Sequence, residues 1–548
     1  MSTALERLRA KGALGGSGTT EAGQALHAEL VGSGVRFAAW PPALEDVYDR
    51  AADKLAECVK PDAQGRAVLQ EGGVYHGCWL ESTGTINAEI LARFCPEIAQ
   101  TTFEQFAELQ RADGLLPYKV TGDGPVFKQI QLVTPPARSV WRHYLLNGRS
   151  RPFLVKMYAA LARYDDWLAQ YRNTRGTGCV EAFCTFDTGH DLSPRFWHIP
   201  DTPERDDPTR YDPHSPLLPL LAPDLTASVY CSRSYLSRIT AELGQEDAAR
   251  LWSAKAEETR QSLVAHCLDE RDGFFYDVDN SGRFVRIQSD VLLRVLACEV
   301  GDDEFFASSL ERYLLNTRKF FAKYPFTSIA MDDPRFDPFS SYNTWGGAVN
   351  FLSLIRAPHA FERHGRHVEL TWVMQPILSA MSRMSRFGQC LSPWTGEEGY
   401  TDTYSPAILC VLDYIERLCG ILPASDGELW FTGLLPQTMD HGMKLADDTA
   451  YSRRVDGVEY ELYNTREECA IYQDRRLLCT FPAGVRVMTD RTGALLGLAG
   501  MTVRPVEGKL RYRGQELPFR VAGNEILQFN RGSFVAQAAP GVIYPTHG

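Results

Sequence analysis

DLTASVYCSRSYLSRITAELGQEDAARLWSAKAEETRQSLVAHCL, residues 224–268, is the stretch on which the fold turns. Asp224 stands as an N-cap before Leu225, Val229, Leu236, Ile239 and Leu243, apolar positions separated by helical steps. Gly244 follows as a stop signal, and a second helix is expected from near Asp247 to about Leu268. Two helices joined by so short a turn make an antiparallel hairpin.

The same rhythm extends in both directions. Pro152 sits in the first turn of a segment carrying Leu154, Tyr158, Leu161 and Leu168. Further helices are expected over residues 43–59, 85–94, 101–111, 137–146, 289–298, 303–314, 348–355, 370–384 and 404–419, roughly a dozen in all. Five connections, residues 71–84, 113–136, 174–219, 319–350 and 387–403, are long and rich in aromatic, glycine and charged residues. Loops of that size in a compact domain are usually functional, and their recurrence between helices predicts a closed ring with a cleft on one face. Past residue 423 the period changes to two. A hairpin turn at Asp456-Gly457 and strand-like runs at 477–481, 485–489 and 519–521 predict a small β-sandwich-like domain over 424–548. Residues 41–423 form the helical domain in this reading. Residues 1–40, with a glycine cluster at Gly12, Gly15, Gly16 and Gly18, read as an arm of low pattern.

A chain of 548 residues with 44% hydrophobic side chains buries a full core, and a net charge of −12 without any dense basic run disfavours nucleic acid and anionic membranes as partners. No apolar run reaches the length of a membrane helix, and no hydrophobic core of a signal peptide follows Arg7, Arg9 and Lys11. Thirteen cysteines scattered singly suit a reducing compartment, so the expected location is cytoplasmic. No zinc-type spacing occurs and no metal or cofactor is signalled. Self-association into a homo-oligomer is compatible with the sequence. Phosphate-binding loops, Gly-x-Ser-x-Gly and His-Glu-x-x-His are all missing, which removes the usual support for nucleotide use and serine hydrolysis.

The strongest local constellation is Phe186-Asp187-Thr188-Gly189-His190-Asp191-Leu192-Ser193-Pro194-Arg195-Phe196-Trp197. Two carboxylates four apart, beside His, Arg and aromatics, can place one acid in a partly dry pocket with a raised pKa, which is what general-acid chemistry needs. The competing reading is a loop whose Asp residues cap helices or pair with Arg195. A second acidic turn, Pro393-Trp394-Thr395-Gly396-Glu397-Glu398, lies in another long loop. Paired carboxyl groups flanked by Trp and Tyr are the inventory of a glycosidase. Tyr75, His76, Trp79 and Glu81 cluster in one further loop, and Tyr342, Asn343 and Trp345 in another.

These residues resemble the six-hairpin, (α/α)6-barrel glycosidases of glycoside hydrolase family 63 and the trehalase group, a group that includes processing α-glucosidase I and mannosylglycerate hydrolases. The similarity covers roughly residues 42–420. Asp187 to Arg195 is similar to the family's Glu-Ser-Gly-Trp-Asp-Asn-Ser-Pro-Arg and sets Asp191 on its general acid. Asp113 to Pro117, Gln129 to Pro136 with Trp141, and Asp224-Leu225-Thr226-Ala227 match further family segments. The resemblance implies a mainly α (α/α)6 toroid followed by a β domain, and an exo-acting inverting hydrolase of a small α-linked carbohydrate. Asp187, Glu81, Arg195, His190, Tyr75, Trp79, Gln129, Trp345, Gln389 and Trp394 then stand as sugar-binding or orienting residues. Three departures follow. The family's Trp-Asp is Trp79-Leu80, leaving the hydroxyl contact to Glu81. Its Trp-Arg-Gly-Pro-Val-Trp is Trp345-Gly346-Gly347-Ala348-Val349-Asn350. Its catalytic base falls on Gln389, and an amide cannot deprotonate water. Glu398, or else Glu397, folding back is the favoured replacement, while water activation elsewhere, phosphate as nucleophile and a binding protein without turnover stay open.

Overall fold

The computed structural model describes residues 3–15, 20–437 and 445–548; Gly16 and Gly18 of the glycine cluster lie outside them. Fifteen α-helices occur among these residues. Helices α1 (Ala4–Ala10) and α2 (Glu21–Ser33) precede α3 (Ala43–Cys58), α4 (Asn87–Leu91), α5 (Pro96–Glu108), α6 (Pro136–Leu146) and α7 (Arg151–Tyr171). Then come α8 (Pro223–Glu242), α9 (Glu246–Cys267), α10 (Val291–Ala297), α11 (Asp303–Ser309), α12 (Phe351–Leu354), α13 (Ala357–Arg363), α14 (His367–Met381) and α15 (Ser405–Cys419).

The deciding hairpin is α8 against α9, and Gly244 supplies the left-handed residue that ends the first helix, with φ +78°. Asp224 is not the cap. The helix starts one residue earlier at Pro223, and the Asp224 carboxylate turns inward to Arg195. One set of helices makes successive neighbour contacts: α4 with α6, α6 with α8, α8 with α10, α10 with α13, α12 with α15, and α15 with α4. The faces they bury are dense in Leu, Ile, Val and Cys, and all thirteen cysteines are buried thiols. Four of these helices begin beside one pocket, because Ser82, Gln131, Leu352 and Tyr404, which stand at or before the starts of α4, α6, α12 and α15, all line it. Partial positive charge at such helix ends favours carboxylates there.

The C-terminal region carries two antiparallel sheets. In the seven-stranded one, Arg36–Trp40, Asp448–Val455, Val458–Asn464, Glu468–Gln473, Arg476–Pro482, Val506–Tyr512 and Gln515–Val521 follow in spatial order. The six-stranded one is built from Ile421–Pro423, Glu428–Gly433, Val485–Asp490, Leu495–Gly500, Ile526–Asn530 and Ser533–Ala538. Asp456 and Gly457 both take positive φ in the expected hairpin turn.

The first forty residues are not a patternless arm. Beyond α1 and α2 they contribute the edge strand Arg36–Trp40, paired with Asp448–Val455, while Arg9 bonds Glu461 across the chain. Their order depends on partners more than four hundred residues away, which no local period reveals. Among the described residues, no helix is long and apolar enough to cross a membrane.

Candidate active site

A small pocket is lined by Glu71, Tyr75, Trp79, Glu81, Ser82, Gln131, Gly189, Asp191, Leu352, Gln389 and Tyr404. It gathers five of the residues singled out in the sequence, Tyr75, Trp79, Glu81, Asp191 and Gln389, from loops more than three hundred residues apart.

Asp191 follows a tight loop in which Gly189 takes φ +65°. A Cβ on Gly189 would fall 2.2 Å from Glu81 Oε2, so glycine is what allows this loop to close over Glu81. Burial, reinforced by the charges of Glu81 and Asp201, pushes the Asp191 carboxyl up to about 7. Glu81 precedes a π-helical turn, Ser82–Ile86, which leads into α4. Its Oε1 accepts from Arg356 at 2.9 Å and its Oε2 from Gln131 at 3.1 Å, with Arg294 3.6 Å away. Opposite, the Tyr75 hydroxyl donates to Gln389 Oε1 at 2.8 Å. The Tyr75 ring packs edge-on to Trp79 and tilted against Tyr404, with centroids 5.6 and 5.8 Å apart.

Several expected sugar contacts lie behind the wall instead. Asp187 is fully buried, bound to Arg172 at 2.5 Å and to the Ile130 and Phe183 amides. Arg195 is clamped between Asp224 and Asp277 by bonds of 2.8–3.1 Å. His190 accepts from Arg195 at Nδ1 and lies 3.0 Å from Asp290. Burial, aided by the Arg294 charge, holds its imidazole down to about 3, so it is neutral. Trp345 is buried at 2% exposure against His190 and Arg294, and offers no open face to a sugar. Gln129 is also buried, reaching the Phe186 carbonyl at 3.4 Å. These groups position the Asp191 loop from beneath. Breaking a buried ion pair by removing one partner costs about 3–5 kcal/mol. Asp187→Ala is therefore expected to lower the melting temperature sharply, and an unchanged melting curve would remove Asp187 from this supporting role.

The acidic turn does not supply the missing base. The Glu398 carboxylate accepts from the Ser385, Arg386 and Gly388 amides at 2.9–3.1 Å and braces the hairpin that presents Gln389. Glu397 is exposed and bonds Thr395. Trp394, 47% exposed, packs with Phe336 away from the pocket residues. Spacing alone presented Glu398 as available; its backbone partners are visible only in three dimensions. The sequence reading passed over Glu71, Gln131, Leu352, Tyr404, Arg294 and Arg356. Gln131, with φ +41°, and Glu71 sit inside loops already marked as long, which was the one available signal.

Residues 76–405 match the mannosylglycerate hydrolase MGH1-like glycoside hydrolase domain. No curated protein sequence matches the chain. Among solved structures, the fold is similar to the GH63 mannosylglycerate hydrolase from Thermus thermophilus in complex with Tris, at 17% identity and a TM-score of 0.56, covering 67% of this chain and 100% of that one. The same hydrolase in complex with glucose gives 18% identity and 0.56, over 67% and 99%. A sialidase aligns at 15% identity and 0.60, over 87% of this chain and 43% of its own. With more than half of its length inside that domain, the chain belongs to the MGH1-like glycoside hydrolases.

Proposed function

We propose that this glycoside hydrolase is an exo-acting, inverting enzyme that cleaves a small α-linked glycoside in the pocket around Asp191. The supporting observation is the Asp191 carboxyl, pushed up to about 7 on the wall of the pocket that it shares with Glu71 and Glu81. A carboxyl that keeps its proton near neutrality can give it to a departing glycosidic oxygen. The lining mixes aromatic and polar side chains, the combination that holds one sugar ring at a chain end. Tyr75 and Trp79 give that ring apolar faces, while Glu81, Gln131 and Gln389 give its hydroxyls polar partners.

In this reading the helices close as an (α/α)6 toroid. The order of contacts, which returns from α15 to α4, supports it. The catalytic domain, expected over 41–423, then ends at Gly420, because Ile421–Pro423 already pair into the six-stranded sheet of the β domain, which the Arg36–Trp40 strand also joins. The substrate is met in solution and no organic cofactor takes part.

Phosphorolysis is the other reading that Gln389 invites. Among the described residues the pocket wall carries no lysine or arginine to hold a phosphate nucleophile, which favours water. A panel of α-glycosides, assayed with and without phosphate and followed by NMR, is expected to give phosphate-independent release with the β-anomer formed first. First release of the α-anomer would replace inversion by double displacement, and strict phosphate dependence would make the enzyme a phosphorylase.

A further inference from the structure

We infer that Glu71 is the catalytic base of this enzyme, taking over from the position that Gln389 occupies. The inference rests on the hydrolase reading above and adds the residue that reading lacks. Three carboxyl groups line the pocket, Asp191, Glu81 and Glu71. Asp191 is the acid. Glu81 is committed to Arg356 and Gln131. Glu71 has no basic partner among the described residues: Ser82 Oγ donates to it, and the Tyr404 hydroxyl lowers the pKa of its carboxyl against burial.

Its backbone ties it to the wall that carries Gln389. The Ser405 amide donates to the Glu71 carbonyl, and the neighbouring Tyr404 amide donates to the Phe387 carbonyl, two residues before Gln389. Gly72, at φ +89°, makes the close approach possible, since a Cβ there would meet the Thr403 carbonyl at 2.1 Å. Tyr75 stands on the same wall, with its ring on Tyr404 and its hydroxyl on Gln389. Glu71 thus brings a carboxyl group to the wall that carries Gln389, from the adjoining loop.

Burial pushes the Glu71 carboxyl up to about 7, so its ionised form is a stronger base than an ordinary carboxylate. In the reaction, a water oxygen forms a bond to the anomeric carbon as the bond to the leaving oxygen breaks. The leaving oxygen takes the Asp191 proton, and Glu71 takes a proton from the water. Asp191 ends ionised and Glu71 protonated, and exchange with solvent restores both.

The test is Glu71→Gln in the full chain on an activated aryl α-glycoside, alongside Asp191→Asn. Loss of kcat by about 100-fold or more, with KM within about threefold, is expected. Azide, a nucleophile that needs no base, should restore turnover and form the glycosyl azide of inverted configuration. The double variant Glu71→Gln/Gln389→Glu, which returns a carboxylate to the opposite end of the Tyr75 bond, should recover hydrolysis at least tenfold over Glu71→Gln. Wild-type kcat in Glu71→Gln, or a loss that neither azide nor Gln389→Glu relieves, would overturn the assignment. Should Glu71→Gln not fold, Glu71→Asp, which withdraws the charge by one methylene, must lose tenfold or more in kcat, and an unaltered kcat overturns it equally. Absence of turnover in the wild type would instead sink the hydrolase reading itself, whereas wild-type turnover that ignores Glu71 sinks only this one.

Discussion

Asp191→Asn is expected to lower kcat by roughly 10²–10⁴ on natural glycosides while leaving sugar binding nearly intact. The amide keeps the shape of the side chain and removes the proton that the leaving oxygen needs. Aryl glycosides, whose leaving groups depart with little protonation, should lose far less, and that difference separates a general acid from a merely structural residue. In the wild type the acid must be protonated, so activity should fall as pH rises through about 7, the value to which burial and Glu81 raise this carboxyl. The same shift makes a statement about stability. The native Asp191 holds its proton over a range, from about 4 to 7, where the unfolded chain has released it. The contribution is fully present below the unfolded value and is lost as pH rises through the folded one. Asparagine carries no such dependence, so the variant should gain in melting temperature relative to the wild type at pH 8 and not at pH 4. Equal loss of rate on aryl and natural substrates would take the acid role away from Asp191.

The helical hairpins were legible because α8 and α9 each carry a continuous apolar stripe with a glycine between them. The presence of Asp191 in the pocket was legible because its neighbours Gly189, Ser193, Pro194 and Arg195 are local and each shapes the loop. What stayed hidden depends on distant partners. Asp187 looked as available as Asp191 until Arg172, at the end of α7, was seen to bind it. Glu398 is consumed by three amides of its own hairpin, and Trp345 by the imidazole it covers. In the opposite direction, Glu71 carries no motif. Its place in the pocket follows from backbone bonds to residues 404 and 405, a relation that spacing along the chain does not express.

Glu81→Gln should show how the pocket sets the acid. Glu81 does two things at once: its charge, after burial, helps to hold the proton on Asp191, and it balances Arg356 and Arg294, both buried beneath the site. Glutamine preserves the bond to Gln131 in shape but removes the charge. The first consequence is kinetic. Asp191 then ionises at lower pH, the alkaline limb of the rate profile moves toward acid, and kcat at pH 7.5 is expected to fall about 10- to 100-fold as the protonated fraction and the sugar contact are lost together. The second is structural. Two buried guanidinium groups lose a counter-charge, at a cost of about 3–5 kcal/mol seen as a lower melting temperature. Glu81→Asp tells the two apart, because it keeps the charge near Asp191 while shortening the reach to Arg356; its alkaline limb should stay near that of the wild type even where its kcat is reduced. A limb that does not move in Glu81→Gln would mean that burial alone holds the proton on Asp191, and that Glu81 serves only the arginines and the sugar.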